Sequence, residues 1–418
     1  MELYSNLAER RMLMYLHRSI ENILEKAIAQ TKVVLVTGAR QTGKTTVIQN
    51  TFPDYNYITL DDENMLVLAK TDPSLFFKDQ EYPLIIDEVQ YAEELFRTIK
   101  LIVDRNQGKG QMILTGSQTH KLMEAASSML VGRMSILEMS SLSLREIFKV
   151  NYDKPFIPTD VYIKDRKKYL TKYDDLWKRI HRGSMPELLD EERDWEWFYR
   201  DYIRTYLERD IHKIINLKDE LKFRSFLISL AARSGQIIVY EDIASDVGVD
   251  IKTVQNWLSI VETSGIVKLI HTYKNNVIKR MIKSPKLYFM DTGLMCYLAG
   301  WKTYEQAKNG AMSGNIFETF VVSEIIKSYY NAGKEIKDTL FYYRDKDKKE
   351  IDLLILEDGI IHPIEIKSSA SVRKDMVKNF SVLENNKEIS VGRGAVICLN
   401  ENIVPITENV DALPIEYI

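Results

Sequence analysis

Gly38-Ala39-Arg40-Gln41-Thr42-Gly43-Lys44-Thr45 follows the β-branched run Lys32-Val33-Val34-Leu35-Val36-Thr37 and leads into Thr46-Val47-Ile48-Gln49-Asn50. A G-x4-G-K-T spacing between a strand and a helix is that of a phosphate-binding loop. Backbone N–H groups of such a turn converge on phosphate oxygens, and the helix N-terminus adds positive potential. Lys44 is expected to reach the β- and γ-phosphates, and the Thr45 hydroxyl to hold Mg²⁺. With Gly38, Ala39, Arg40, Gln41, Thr42, Gly43 and Thr46 they form the expected ATP-binding set.

Outward from the loop, short apolar runs at 33–37, 55–60, 84–87, 112–115 and 134–137 alternate with helical stretches. Such alternation predicts a parallel sheet covered on both faces. Leu84-Ile85-Ile86-Asp87-Glu88 ends an apolar strand in two carboxylates. Asp87 is expected in the Mg²⁺ shell, and Glu88 is expected to align and polarise the attacking water. An acid at a strand end also caps a following helix, so Glu88 keeps that second reading. Ile113-Leu114-Thr115-Gly116-Ser117-Gln118 places Ser117, or Gln118, where it would sense the γ-phosphate. Arg133, after Val131-Gly132, reads either as a charge-stabilising arginine, in cis or in trans, or as a turn arginine on the surface. The glycine loop and the acid tip at 87–88 are expected on adjoining strands. Upstream, Leu13, Leu16, Ile20, Ile23, Leu24 and Ala27 share one stripe and predict a helix over 7–30.

Residues 141–218 read as mostly helical, with Arg204 and Arg209 as carriers of a nucleotide signal or as solvated helix arginines. Residues 240–265 predict two helices around Gly248, the second capped by Asp250 with Val254, Trp257, Leu258 and Val261 inward. Its outward face carries Lys252, Thr253, Gln255 and Asn256, the donors a recognition helix uses. Lys268, Lys274, Lys279, Arg280, Lys283 and Lys286 follow without an acid between 267 and 287, and predict a basic wing. A winged helix that only packs between domains is the competing reading.

In the stretch Glu350 to Lys367, Asp358-Gly359 between two apolar runs predicts a two-residue hairpin. Asp352 then faces Glu365, and Glu350 faces Lys367, with Ile351, Leu353, Ile355, Ile364 and Ile366 on the other face. Opposed carboxylates repel. A divalent cation would remove the conflict, with Asp352 and Glu365 as ligands, Glu318 adding a carboxylate from a helix, and Lys367 neutralising charge on a phosphate. A solvated acidic-basic strand face is the plainer reading.

The chain has 418 residues, with 57 Lys plus Arg against 60 Asp plus Glu, for a net charge of −3. That excludes a uniformly basic nucleic-acid binder and leaves room for a local basic patch. The two cysteines, Cys296 and Cys398, are too few for a disulfide framework. No apolar run approaches the ~18 residues of a membrane span, and the first residues lack the apolar block of a signal peptide. A cytoplasmic chain with no membrane partner is expected.

Read in order, GARQTGKTT, YITLDDENMLVLAKTDPSLFF, LIIDEVQ, ILTGSQ, SSMLVGR, DYIRTYLERDI and SPKLYFMDTGL closely resemble the bacterial and archaeal ATPases that join an AAA-type P-loop domain to a C-terminal DUF4143 region. The resemblance implies an α/β fold: an N-terminal helix and P-loop core over 1–140, a helical lid over 141–218, a winged helix-turn-helix over 219–290 and a PD-(D/E)XK nuclease-like domain over 291–418. It implies Walker A roles for Lys44 and Thr45, Walker B roles for Asp87 and Glu88, sensor 1 for Ser117, and a Gly-Arg position for Arg133. Asp352, Glu365 and Lys367 match its nuclease signature, with Glu318 as the helical acid. The expected function is Mg²⁺-dependent ATP hydrolysis coupled to a DNA-directed, cutting or merely holding, domain. DNA is the candidate partner, through Lys252, Gln255, Asn256, Lys279, Arg280 and Lys283. The alternative is a nucleotide-controlled protein that docks partners without cutting.

Overall fold

The computed structural model describes residues 15–117, 120–206, 220–273, 284–384 and 390–418. Five strands, β1 (Val33–Gly38), β2 (Asn56–Thr59), β3 (Leu84–Asp87), β4 (Met112–Ser117) and β5 (Met134–Glu138), form one parallel sheet in the order β2-β3-β4-β1-β5. Helices cover both of its faces, so β1, β3 and β4 are buried along their whole length and read as unbroken apolar runs. One face packs Leu60, Phe76, Phe96 and Ile99, and the other packs Leu24, Val47, Ile48 and Ile113.

Two expectations are corrected here. The glycine loop and the acid tip do not lie on adjoining strands, because β4 runs between β1 and β3. The first described helix spans only Glu21–Gln30, although Ile20 and Leu24 are buried as expected. Glu21 folds back to accept hydrogen bonds from the Tyr15 hydroxyl at 2.7 Å and the Arg18 backbone N–H at 2.5 Å. That bend keeps Leu16 out of the helix; Leu13 lies outside the described residues.

Helices Asp160–Arg166, Leu176–Arg182 and Trp195–Tyr206 follow the sheet. The pair Tyr240–Val247 and Ile251–Thr263 comes next, joined by Gly248 at φ 70° and capped by the Asp250 carboxylate on the Thr253 N–H at 2.9 Å. A small antiparallel sheet, in the order β6 (Gln236–Ile237), β8 (Lys286–Phe289), β7 (Val267–Ile270), packs beside them.

The C-terminal part packs helix Ser313–Tyr330 on a mixed sheet. Its strands are β9 (Leu340–Arg344), β10 (Glu350–Glu357), β11 (Ile360–Ile366), β12 (Ser390–Val391), β13 (Gly394–Cys398), β14 (Val404–Thr407) and β15 (Val410–Pro414). Asp358 at φ 50° and Gly359 at φ 77° make the tight turn, and the ladder runs from Glu357 opposite Ile360 to Leu353 opposite Ile364. A bulge against β9 between Ile351 and Leu354 then shifts the strand. Ile351 joins Leu354 and Phe380 in one core, while Leu353 and Ile355 join Ile364 and Ile366 in the other. The expected single apolar face therefore breaks at Ile351; the β10–β11 ladder ends at Leu353 opposite Ile364, short of the expected Asp352–Glu365 and Glu350–Lys367 pairs, and on its other side Glu350 pairs with Arg344 of β9.

One apolar core runs without interruption from Leu144 through the helix pair to Ile418. The helices after the ATPase-like sheet belong to it: the Phe156 N–H donates to the Ser328 hydroxyl at 3.0 Å, and the Tyr162 hydroxyl to the Tyr417 carbonyl at 2.8 Å. Among the described residues no helix is long and apolar enough to cross a membrane.

Candidate nucleotide site and C-terminal carboxylate cluster

The loop after β1 wraps the Lys44 side chain. Its Nζ, buried, donates to the carbonyls of Gly38 at 3.1 Å and Ala39 at 2.8 Å. Two glycines make the bend possible. A Cβ on Gly38 would stand 2.0 Å from the Met139 carbonyl oxygen, and Gly43 sits at φ 90° ahead of helix Lys44–Thr51. Thr42 caps the loop internally through the Ala39 carbonyl at 3.0 Å, while Gln41 and Thr46 are exposed. Arg40 donates to the Tyr91 hydroxyl at 3.2 Å.

Asp87 ends β3 inside the same pocket. Its carboxylate accepts hydrogen bonds from the Thr45 hydroxyl at 2.8 Å, the Tyr57 hydroxyl at 2.8 Å, the Glu88 N–H at 3.0 Å and the Thr115 hydroxyl. Burial, and then the bond to Asp87, raises the pKa of Tyr57, so its proton stays on the phenol. Glu88 follows at φ 59°, left-handed backbone for a non-glycine residue, and the Gln90 amide donates to its carboxylate. Ser117 pairs with Gly38 across β4 and β1, and among the described residues its buried hydroxyl has no hydrogen-bond partner. A hard carboxylate and a hydroxyl 2.8 Å apart, beside an unsatisfied buried hydroxyl, suit a Mg²⁺-bound phosphate.

The loop is braced from behind by a residue without a sequence motif. Arg18, buried, donates to the Thr42 carbonyl at 2.8 Å, the Ser140 carbonyl at 2.9 Å and Glu146 at 2.9 Å. Burial alone would raise the pKa of Glu146; Arg18 and the backbone N–H groups of Ser143 and Ser19 outweigh it and hold the carboxyl below its ordinary range. The helix pair also reaches the loop. Gly265, at φ 74°, comes so close that a Cβ there would lie 3.3 Å from the Ala39 nitrogen. Lys268 on β7 is an ion-pair partner of Glu138 at the end of β5, at 2.6 Å.

Arg133 is the clear displacement. It stands before β5, opposite the start of β1, whereas the glycine loop leaves the other end of β1. Its guanidinium pairs with Asp104 through bonds of 2.5 and 3.0 Å. It therefore does not act in cis on a phosphate held by the loop.

In the C-terminal part Asp352, Glu365, Lys367 and Glu318 do come together. Lys367 Nζ lies 2.6 Å from Glu365 and 3.5 Å from Asp352, which also accepts the Ile366 N–H at 2.8 Å. Lys286 joins them, and it was expected on a wing surface. Its buried Nζ lies 2.6 Å from Glu350, 3.0 Å from Glu318 and 3.8 Å from Asp352. The Tyr288 hydroxyl donates to Glu318 at 2.7 Å. Burial, then the Asp352 charge, pushes Glu365 up to about 8 and Glu318 up to about 7, against the pull of the lysines. One oxygen of Glu365 is buried without a partner among the described residues. Among the described residues no group of three or more acidic, histidine or cysteine side chains is arranged to hold a metal ion. Each of the three carboxylates expected as metal ligands, Asp352, Glu365 and Glu318, faces an ammonium group in this structure.

On helix Ile251–Thr263, Lys252, Gln255 and Asn256 are exposed, and Thr253 donates to Asp250 at 2.7 Å. Arg204 is exposed on its helix. Gln118, Arg209, Lys274, Lys279, Arg280 and Lys283 lie outside the described residues. Of the six residues of the expected basic wing, Lys268 and Lys286 are the two that can be placed, and both are committed to internal carboxylates.

Sequence reasoning missed Arg18, Tyr57, Thr115 and the placement of Lys286. Only Lys286 carried a local signal: a lysine heading the apolar strand Leu287-Tyr288-Phe289 needs a buried partner.

Three family models match the chain: an AAA domain over residues 30–148, a domain of unknown function (DUF8612) over 173–305, and a domain of unknown function (DUF4143) over 313–418. Two uncharacterized proteins, from Mycobacterium tuberculosis and Mycobacterium bovis, are each 26% identical over 399 residues, covering 94% of this chain and 82% of theirs. A Walker-type ATPase of Pyrococcus abyssi is similar in structure at a TM-score of 0.38 and 12% identity, covering 67% of this chain and 94% of its own.

Proposed function

For a chain that joins an AAA-type P-loop ATPase domain to a C-terminal DUF4143 region, we propose that ATP is bound at the glycine loop and hydrolysed there, and that the nucleotide state is passed to the helix pair and the C-terminal domain. The observation that carries this reading is the bond from Thr45 to Asp87 at 2.8 Å, which joins loop and acid tip across β4. Lys44 binds the phosphates, with the loop N–H groups around them. Glu88, held by Gln90, orients the attacking water and takes its proton. Ser117 donates its unpaired hydroxyl to the γ-phosphate. Mg²⁺, when bound between Thr45 and Asp87, supplies charge neutralisation on the phosphates. The test is paired: Lys44→Ala loses ATP binding, whereas Glu88→Gln keeps binding and loses phosphate release. Binding retained in Lys44→Ala would remove the reading.

The transmission reading rests on two contacts at the nucleotide end of the sheet, Ala39 with Gly265 and Glu138 with Lys268. The helix pair with its small sheet is then a winged helix, with Lys252, Gln255 and Asn256 as its nucleic-acid face together with Lys279, Arg280 and Lys283. Salt-dependent DNA affinity that falls on neutralising these residues tests it. Absence of salt-dependent binding would remove DNA as the partner. The C-terminal domain acts by docking rather than cutting. That alternative is favoured by one observation: every carboxylate of its nuclease-like signature faces a lysine.

A further inference from the structure

A nuclease-like carboxylate cluster is ordinarily read as waiting for a divalent ion, yet two fixed ammonium groups stand among these acids. Lys367 belongs to the strand that carries Glu365. Lys286 does not: it enters from β8, in the small sheet that packs beside the helix pair. Its head group contacts Glu350 at 2.6 Å and Glu318 at 3.0 Å, and stands 3.8 Å from Asp352. Its side chain is 2% exposed, and its Nζ lies 6.0 Å from the centre of the Tyr342 ring, over its face. A buried lysine at a strand start is costly unless carboxylates surround it, and here three do. The charge of Lys286 is held well above the usual lysine range against burial, first by Tyr288 and then by Glu318, Asp352 and Glu350. The head group stands within 4 Å of both Glu318 and Asp352, on the side a cation bridging the two would occupy.

We infer that Lys286 is the resident cation of this cluster: it takes the position a divalent ion would hold, so the native protein binds no divalent metal there, and removing the lysine charge opens a latent divalent-cation site on Glu318, Glu350 and Asp352. Glu350 and Glu318 support the latent half of the inference: Lys286 Nζ stands 2.6 Å from one and 3.0 Å from the other, so both carboxylates lose that ammonium when the lysine goes. The inference deepens the docking reading of the C-terminal domain. It does not depend on ATP turnover, so the two fail separately.

The experiment is a Mn²⁺ titration of the full chain without nucleotide, followed by electron paramagnetic resonance and by thermal unfolding. Wild type, Lys286→Met, Lys286→Arg, Asp352→Asn and the double variant Lys286→Met/Asp352→Asn are compared. The expected result is that wild type and Lys286→Arg show no Mn²⁺ site sensitive to Asp352→Asn. Lys286→Met melts lower than wild type, binds one Mn²⁺, regains several degrees on binding it, and loses both effects in the double variant. Two results overturn the inference: a Mn²⁺ site in wild type that Asp352→Asn abolishes, or a folded Lys286→Met protein that binds none. The wild-type titration decides the first half even where Lys286→Met fails to fold.

Discussion

Thr45 and Asp87 meet through a 2.8 Å hydrogen bond although the strands that lead to them are not neighbours. The intervening β4 contributes Thr115, which donates to the same carboxylate, and β2 contributes Tyr57 from the outer side. Asp87 thus has its orientation fixed by three hydroxyls from three elements before any ligand arrives, which is the preorganisation a phosphate-transfer site needs.

Tyr57→Phe removes one of those donors without changing shape. The expected loss is about 1 kcal/mol of stability, the net worth of one such bond, with a higher Mg²⁺ requirement for ATP turnover. Thr115→Val should cost more, because it leaves a carboxylate oxygen short of a buried donor. Denaturant midpoints at unchanged slope, with a Mg²⁺ titration of phosphate release, check both.

Glu88→Gln keeps the Gln90 contact within reach and removes the proton acceptor. Turnover should fall by about 10²–10⁴, the usual contribution of general base catalysis, with ATP affinity retained. Isothermal titration and phosphate release measure the two halves.

Arg18 and Glu146 form a buried pair that also holds the Thr42 carbonyl. Arg18→Met should cost about 3–5 kcal/mol, because it strands a buried carboxylate. The pH sign follows from the lowered pKa of Glu146. Arg18 faces its carboxylate, the backbone N–H groups of Ser143 and Ser19 donate to it, and Glu21 lies beside Arg18. Its stabilisation is complete above the ordinary glutamate range and is lost as pH falls through the lowered folded value. Melting temperature against pH should drop steeply on the acid side in wild type and more gently in Glu146→Gln.

Gly265→Ala tests the contact between the helix pair and the loop. At φ 74° the added Cβ costs about 1–2 kcal/mol of backbone strain, and at 3.3 Å from the Ala39 nitrogen it pushes on the loop itself. ATP affinity should weaken, whereas Gly248→Ala, whose Cβ meets nothing within 4 Å, should cost stability alone.

Arg133→Ala should leave ATP turnover of the isolated chain at the wild-type level, since the residue pairs with Asp104 at the far end of the sheet. A large loss of turnover in a dilute, monomeric sample would contradict that placement.

The parallel sheet was legible because its strands are buried on both faces and bounded by helices: the apolar runs at 33–37, 84–87 and 112–115 fall within a residue or two of β1, β3 and β4. The hairpin turn at Asp358-Gly359 was legible for a local reason, the positive φ both residues adopt. Strand order was not, because nothing local in Leu84-Ile85-Ile86-Asp87 says that β4 inserts beside it. The bulge that splits Ile351 from Leu353 is likewise a property of β9 and β10 together. Arg18 meets a carboxylate 128 positions away, and Lys286 meets Glu350 across two sheets. Charge alone placed Lys268 and Lys286 outside; the acids that draw them in belong to distant segments.

The uninterrupted core from Leu144 to Ile418 has a practical corollary. A fragment begun just after the helix pair would strip Phe317 of Trp177, and the C-terminal Tyr417 of Tyr162. Such a piece would bring raw apolar surface into water and aggregate on expression. Dissection of this molecule by truncation should therefore be replaced by point substitution at the seam between Ala39 and Gly265.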